Sequence, residues 1–149
     1  MSELFIRKMN HDDLADVTTI EKASFIGPWN EKVFARELDN NEYAHYFVLI
    51  YNDQIVGYAG LWIVMDDAQV TNIAIHPDFR RRQFGEKLFN YLLHYSIGKN
   101  VVRFSLEVRI SNIAAQKLYR KYGLVPGGIR KKYYKDNQED ALIMWVNLQ

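Results

Sequence analysis

The chain reads as an α/β domain in which a central mixed, mostly antiparallel sheet is flanked by helices. Three observations predict this class. Segments of period-two and period-3.6 hydrophobicity alternate along the sequence. Strand-like runs are twice joined by short polar turns, the mark of antiparallel hairpins. The length of 149 residues suits a single domain spanning residues 1–149, one that buries roughly two-thirds of its unfolded surface. The element order that results is β-α-α-β-β-β-α-β-α-β-β, without linker, repeat or low-complexity segment.

Residues 4–9 alternate as a short first strand, and Asn10 with Asp13 three residues on resembles a helix cap. Leu14, Val17 and Ile20 then fall at helical spacing until Gly27 and Pro28 break the helix; Asn30 restarts one with Phe34 and Leu38 on a common face. Residues 44–51 and 54–64 are strands joined at Asn52 and Asp53, and Asp66 and Asp67 mark the next turn. Residues 68–75 form a fourth strand, closed by His76-Pro77-Asp78 because proline cannot donate to a ladder. Phe84, Leu88, Leu92 and Tyr95 define a helix that stops near Gly98 and Asn100. In residues 101–108 alternation puts Val102, Phe104, Leu106 and Val108 on one face, so Glu107 points away from the apolar layer. Ser111 or Asn112 caps a further helix carrying Ala115, Leu118 and Tyr122, with Gly123 as its left-handed terminator. Residues 129–134 and 141–148 are expected to close the chain as a hairpin around Asp136 and Asn137.

Hydrophobic residues at 48% and charged residues at 25% are globular usages. The longest near-continuous apolar run, residues 44–51, is too short to cross a bilayer, and residues 1–13 carry charges throughout, so a cytoplasmic protein without membrane or secretory segment is expected. The absence of cysteine excludes disulfides, thiolate zinc sites and a cysteine nucleophile. A net charge of +1 argues against a general nucleic-acid binder. Positive charge is local: Arg80, Arg81 and Arg82 form one cluster, and Arg130, Lys131, Lys132 and Lys135 another.

The first cluster lies between a strand and a helix, with Gly85 close by. Unpaired amides at a helix N-terminus, aided by the dipole, bind phosphate oxygens. A capped surface helix beside a solvated charge run has the same sequence pattern. Likewise, Glu107 on a polar strand face and Tyr119 on the next helix are a base and an acid, or a surface ion pair with Arg103 or Arg109 and a packing residue.

The run Asn72-Ile73-Ala74-Ile75-His76-Pro77-Asp78-Phe79-Arg80-Arg81-Arg82-Gln83-Phe84-Gly85 resembles the acetyl-CoA signature of the GNAT superfamily of N-acetyltransferases, an Arg/Gln-x-x-Gly-x-Gly/Ala loop after a strand. Leu106-Glu107-Val108-Arg109, Ser111-Asn112, Ala114-Ala115 and Leu118-Tyr119 bring the likeness to the RimI-type ribosomal-protein alanine N-acetyltransferases. So do Pro28-Trp29, Arg130, Tyr133-Tyr134 and Glu139-Asp140-Ala141, so the resemblance covers residues 5–144. It implies a GNAT fold with acetyl-CoA as cosubstrate and no metal. The strand end Ile73, Ala74 and Ile75 would hold pantetheine and the acetyl carbonyl. The loop amides of Arg80, Arg81, Arg82, Gln83, Phe84, Gly85 and Glu86 would hold pyrophosphate, and Asn112 would touch the cofactor. Glu107 is the implied general base and Tyr119 the general acid. The implied acceptor is the N-terminal alanine of ribosomal protein S-eighteen. Separately, a monomer that contacts neither nucleic acid nor membrane is expected. Trp29, Tyr133 and Tyr134 are walls for that peptide, or hairpin and loop packing.

Gln83 stands where the pattern has its first glycine. Helix N-termini use right-handed angles open to any residue, so Gln83 is expected to keep its amide contact from a right-handed backbone. An α-amine acceptor suits the chemistry, because its pKa of ~7.8 leaves about a tenth or more neutral near pH 7, whereas a lysine is almost wholly charged. Two other enzyme readings stay open, a GNAT acting on a small amine such as a polyamine or antibiotic and one acting on protein lysines. A non-catalytic acyl-CoA-binding module and a weak RNA binder are the alternatives from other classes.

Overall fold

The computed structural model describes residues 3–149. Seven strands, β1 (Leu4–Lys8), β2 (Ala44–Tyr51), β3 (Gln54–Val64), β4 (Asp67–Ile75), β5 (Arg103–Arg109), β6 (Val125–Arg130) and β7 (Ala141–Asn147), form one sheet in the order β1-β2-β3-β4-β5-β7-β6. Every neighbouring pair is antiparallel except β4 and β5. Four helices, α1 (Leu14–Ser24), α2 (Glu31–Asn40), α3 (Phe84–Gly98) and α4 (Ile113–Lys121), cover the two faces.

The pleat divides the apolar residues between two cores. Phe47, Leu49, Phe104, Leu106 and Val108 meet Leu88, Phe89, Leu92 and Tyr119 on the α3 and α4 side. Tyr46, Val48, Ile50, Tyr58 and Ala74 meet Val17, Ile20 and Phe34 on the α1 and α2 side. Consecutive residues of β2 thus feed opposite cores, which is why that strand reads as an unbroken apolar run.

Capping follows the residue types. Asn10 and Asp13 form a reciprocal capping box, and Asn30 and Asn112 each accept a backbone N–H of the helix they open. Asn52 and Asp53 both take positive φ in the β2–β3 turn, as a tight two-residue hairpin requires. The helix-terminating Gly123 does so as well.

The last hairpin departs from expectation. Its first strand is Val125–Arg130 and not residues 129–134, so Tyr133 and Tyr134 lie in the connecting segment. Pro126, Gly127 and Gly128 read as a loop, yet they pair with β7 through a bulge between Pro126 and Gly128. An edge strand tolerates a residue without an N–H. A Cβ on Gly127 would stand 2.4 Å from the Trp145 ring, so the glycine lets that indole lie across the strand.

Candidate active site

The sheet is not continuous at its centre. β4 and β5 share only the rungs Asp67 with Arg103, Ala68 with Phe104 and Gln69 with Ser105. Beyond them β4 carries a bulge: Leu61 of β3 faces Val70 and Gly60 faces Asn72, leaving Thr71 as the extra residue. A bulge bends its strand, and the ends of β4 and β5 diverge into a slit. No backbone ladder closes it.

Glu107 and Tyr119 approach this slit from opposite faces. On β5, Glu107 alternates with the buried Leu106 and Val108, so it projects toward the α1 and α2 side, whereas Tyr119 belongs to the core on the α3 and α4 side. Both nevertheless line one cavity of about 460 Å³, together with Glu21, Trp29, Gln69, Asn72, Tyr133 and Tyr134. Tyr119 also lines an adjoining cavity of about 370 Å³ with Ile73, Ala74, Ile75, Arg80 and Gly85. The phenol therefore stands where two grooves meet, one along the end of β4 and one bordered by the aromatic residues. A third hollow, of about 530 Å³, lies away from the slit among Arg7, Asp16, Asp53 and His76, and its arginine is committed to Asp13.

The two groups have contrasting surroundings. Glu107 Oε1 accepts from Gln69 Nε2 at 2.7 Å, and Oε2 lies 3.4 Å from Arg130 Nε. Neither Arg103 nor Arg109 is its ion-pair partner. Arg103 stacks on Trp145, and Arg109 binds Asp136 at 2.9 Å and Glu139 at 3.2 Å. Burial and the neighbouring Glu107 raise the Tyr133 hydroxyl. Tyr119 packs against Phe89, and burial alone pushes its hydroxyl up to about 12, above an ordinary phenol. It is protonated throughout the neutral range.

Beneath the aromatic groove Glu21 is buried at 3% exposure, accepting from the Tyr58 hydroxyl, from the Trp29 backbone N–H at 2.9 Å and from Asn72 Nδ2 at 3.4 Å. Burial and the Glu21 charge both raise the Tyr58 hydroxyl. The network ties Trp29 to the strand that lines the other groove. Glu21 carried no motif and Asn72 entered only as the first residue of the signature run, so their joint burial is what marks them as a pair.

At the start of α3 the backbone overturns one expectation: Gln83 has φ 63° and ψ 18°, left-handed rather than right-handed, and Arg81 has φ 64°. Left-handed residues fold successive amides into a concave, anion-accepting turn, and the first amides of α3, at Phe84, Gly85 and Glu86, lack helical acceptors. The arginine side chains go elsewhere. Arg80 Nε donates to the Ile75 carbonyl at 3.0 Å and its Nη2 to Ser24 at 3.2 Å, while Arg82 lies over the Phe79 and Tyr51 rings. Glu86 bridges to α4 by accepting from Lys121 and Tyr122, each at 2.7 Å. Asn112 spends Oδ1 on capping α4.

Ile73, Ala74, Ile75, Arg80, Gly85 and Tyr119 are thus gathered in one groove, and Trp29, Glu107, Tyr119, Tyr133 and Tyr134 in the other. Among the described residues no helix is long and apolar enough to cross a membrane, and no cluster of three or more His, Asp or Glu could hold a metal ion.

A sheet split between parallel strands, with a left-handed turn at one end and a carboxylate and a phenol lining the gap, is an arrangement suited to group transfer. The model of the acetyltransferase (GNAT) family matches residues 14–124, and the chain belongs to that family. It is 52% identical over 143 residues to a Bacillus subtilis (strain 168) protein provisionally named a ribosomal protein bS18-alanine N-acetyltransferase, covering 96% of this chain and 95% of that one. The crystal structure of the ribosomal-protein-S18-alanine N-acetyltransferase from Escherichia coli superposes with a TM-score of 0.88 at 34% identity, over 99% of this chain and 95% of that one. A GNAT family acetyltransferase from Elizabethkingia anophelis, solved with acetyl-CoA bound, shares the fold at a TM-score of 0.77 and 19% identity, over 97% and 98% of the two chains.

Proposed function

We propose that this acetyltransferase moves acetyl from acetyl-CoA to the α-amine of an alanine-terminated ribosomal protein, the homologue of bS18, in the cytoplasm, and that residues 1–149 act as one catalytic domain. The observation that carries the mechanism is the slit, because it gives two grooves that meet at Tyr119, between the shared walls Phe25 and Ile73.

The groove along β4 fits an acyl-CoA. Its walls at Ile73, Ala74 and Ile75 offer strand-end backbone to pantetheine, and the left-handed turn with the first amides of α3 offers N–H donors to pyrophosphate. Arg81, Gln83, Phe84, Gly85 and Glu86 contribute amides. Arg80 shapes the strand end through its bond to Ile75, and Arg82 braces the turn against Phe79. Asn112 retains its Nδ2 donor for the cofactor. Acetyl-CoA supplies the activated acyl group. The second groove, walled by Trp29, Tyr133 and Tyr134, takes the acceptor's first residues.

Transfer makes a nitrogen–carbon bond and breaks a carbon–sulfur bond. The amine proton passes to Glu107, directly or through one water, and the leaving sulfur takes a hydrogen bond and then a proton from Tyr119. A phenol raised to about 12 is a weak proton donor, so its main contribution is a hydrogen bond to sulfur as charge develops there.

The test compares acetyl-CoA turnover on three acceptors: a peptide with a free N-terminal alanine, the same peptide with its terminus blocked and its lysines free, and a polyamine control. Acetylation of the free-terminus peptide alone is expected. Turnover concentrated on the blocked peptide or on the polyamine overturns the α-amine assignment.

A further inference from the structure

A base carried on a strand needs a fixed carboxylate rotamer and a neighbour that favours its ionised form. Glu107 sits where β4 has already separated from β5, so no backbone ladder braces it on that side. A side chain spans the gap instead. Gln69 occupies the last shared rung, opposite Ser105 and two residues before Glu107, and its Nε2 reaches Oε1 at 2.7 Å. An ionised carboxylate only accepts hydrogen bonds, so the amide must face it with its NH₂ group.

The other charged and titratable groups around the carboxylate are less suited to this task. Arg130 of β6 stands at 3.4 Å from Oε2 with its side chain 53% exposed, a contact open to solvent screening. Tyr133, from the 131–140 segment, also hydrogen-bonds the Glu107 carboxylate, but from a connecting segment and not from the facing strand; it lines the same cavity as Tyr134, Tyr119 from α4 and Glu21 from α1. Arg109, on the same strand, is held by Asp136 and Glu139. Gln69 is exposed on the groove wall, and water competes for its amide until an acceptor fills the groove. Its hold on Glu107 then strengthens as that water leaves.

Resting on the assignment of Glu107 as general base, we propose that Gln69 is its positioning residue. It clamps Oε1 across the mouth of the slit and directs Oε2 at the amine proton. The contact belongs to this chain's own β4, and no step passes through Gln69 itself.

Single-turnover rates against pH, with acetyl-CoA and an alanine-terminated peptide, test this in Gln69→Leu, Gln69→Glu, Glu107→Gln and the double variant Gln69→Leu/Glu107→Gln. Gln69→Leu is expected to slow transfer about tenfold, part of the 10²–10⁴ that general base catalysis contributes. Its acid limb should move to higher pH, because a donor to the charged form has gone. Gln69→Glu should move the limb further, since a second carboxylate disfavours ionisation. Affinity for acetyl-CoA should not change in either. In the Glu107→Gln background, Gln69→Leu should add no further loss. An unmoved acid limb, or losses that multiply in the double variant, overturns the positioning role. Parental turnover in Glu107→Gln overturns the base assignment itself, whereas an inactive Glu107→Gln beside a silent Gln69→Leu removes only Gln69.

Discussion

Two segments border the slit, and they are held in different ways. Residues 80–83 form a short turn whose shape resides in the backbone, with Arg81 and Gln83 both left-handed. Residues 131–140 form a longer connection whose shape resides in side chains. The Arg109 guanidinium lies 3.9 Å from the Tyr134 ring centre, pairs with Asp136 and Glu139, and donates to Asn137, while Glu139 accepts the Ser111 N–H at 2.8 Å. A phosphate site needs amides in one fixed geometry, which backbone provides irrespective of side chain. A peptide site needs aromatic walls, and a cross-linked loop places them. The turn should therefore respond to backbone changes and the longer segment to the loss of charge.

The largest effect is expected from Gln83→Pro. Proline fixes φ near −65°, far from the observed 63°, and deletes an amide donor. Losing one charge-assisted hydrogen bond costs about 1.5–3 kcal/mol, and rebuilding the turn adds about 1–2 kcal/mol. Together these amount to roughly two to four orders of magnitude in CoA affinity. Titration of CoA, with circular dichroism to follow the fold, measures it. A folded proline variant that binds CoA as tightly as the parent would place the phosphate site elsewhere.

Arg109→Met comes next and tests the other segment. It keeps the length and removes the charge, leaving Asp136 and Glu139 without their guanidinium. The acceptor KM is expected to rise about tenfold, on the order of the 1.4 kcal/mol that a multiply bonded charge contributes, with the KM for acetyl-CoA unchanged. A rise in both constants would mean that the segments are not independent.

The clamp also has a pH signature. Hydrogen bonding from Ser111, with help from Arg109, holds the Glu139 carboxyl down to about 2. A depressed carboxylate contributes above its unfolded pKa of ~4.3 and loses that contribution only as pH falls toward its folded value. The acceptor KM should therefore show no Glu139 titration between pH 5 and 9. A step in that window, absent from Arg109→Met, would show the clamp opening in the neutral range.

Elements were legible where local chemistry decides them. Asn10, Asn30 and Asn112 cap the helices they precede, and alternation correctly turned Glu107 away from the core. What the sequence hid depends on pairing between distant strands. The partners of Glu107 include Gln69 and Arg130, 38 and 23 positions away, because register across a parallel crossover and an edge hairpin is invisible to periodicity. The neighbouring arginines on its own strand were plausible only by proximity. In β6, Pro126 and two glycines carry loop chemistry, and only the Trp145 ring lying across Gly127 explains why a strand tolerates them. Gln83 misled for a related reason: helix starts are right-handed as a rule, and its cap position instead closes a turn whose curvature needs positive φ.

Gln83→Gly is the smallest expected effect and isolates that last point. A non-glycine residue in the left-handed region carries about 1–2 kcal/mol of steric cost, whereas glycine adopts it freely and loses about 0.5–1 kcal/mol through chain entropy. The balance favours glycine by about 0.5–1 kcal/mol, a rise of roughly 1–4 °C in Tm for a chain of this size. The amide donor survives, so CoA affinity should stay within about threefold of the parent. This separates the two properties that the proline variant destroys together, backbone shape and donor. If glycine lowers Tm, the left-handed geometry at position 83 is wrong, because a right-handed residue would gain nothing from losing its side chain. If glycine raises Tm but weakens CoA binding tenfold, the glutamine side chain itself holds the cofactor. The residue standing in the family's glycine position would then have exchanged stability for a contact that glycine cannot make.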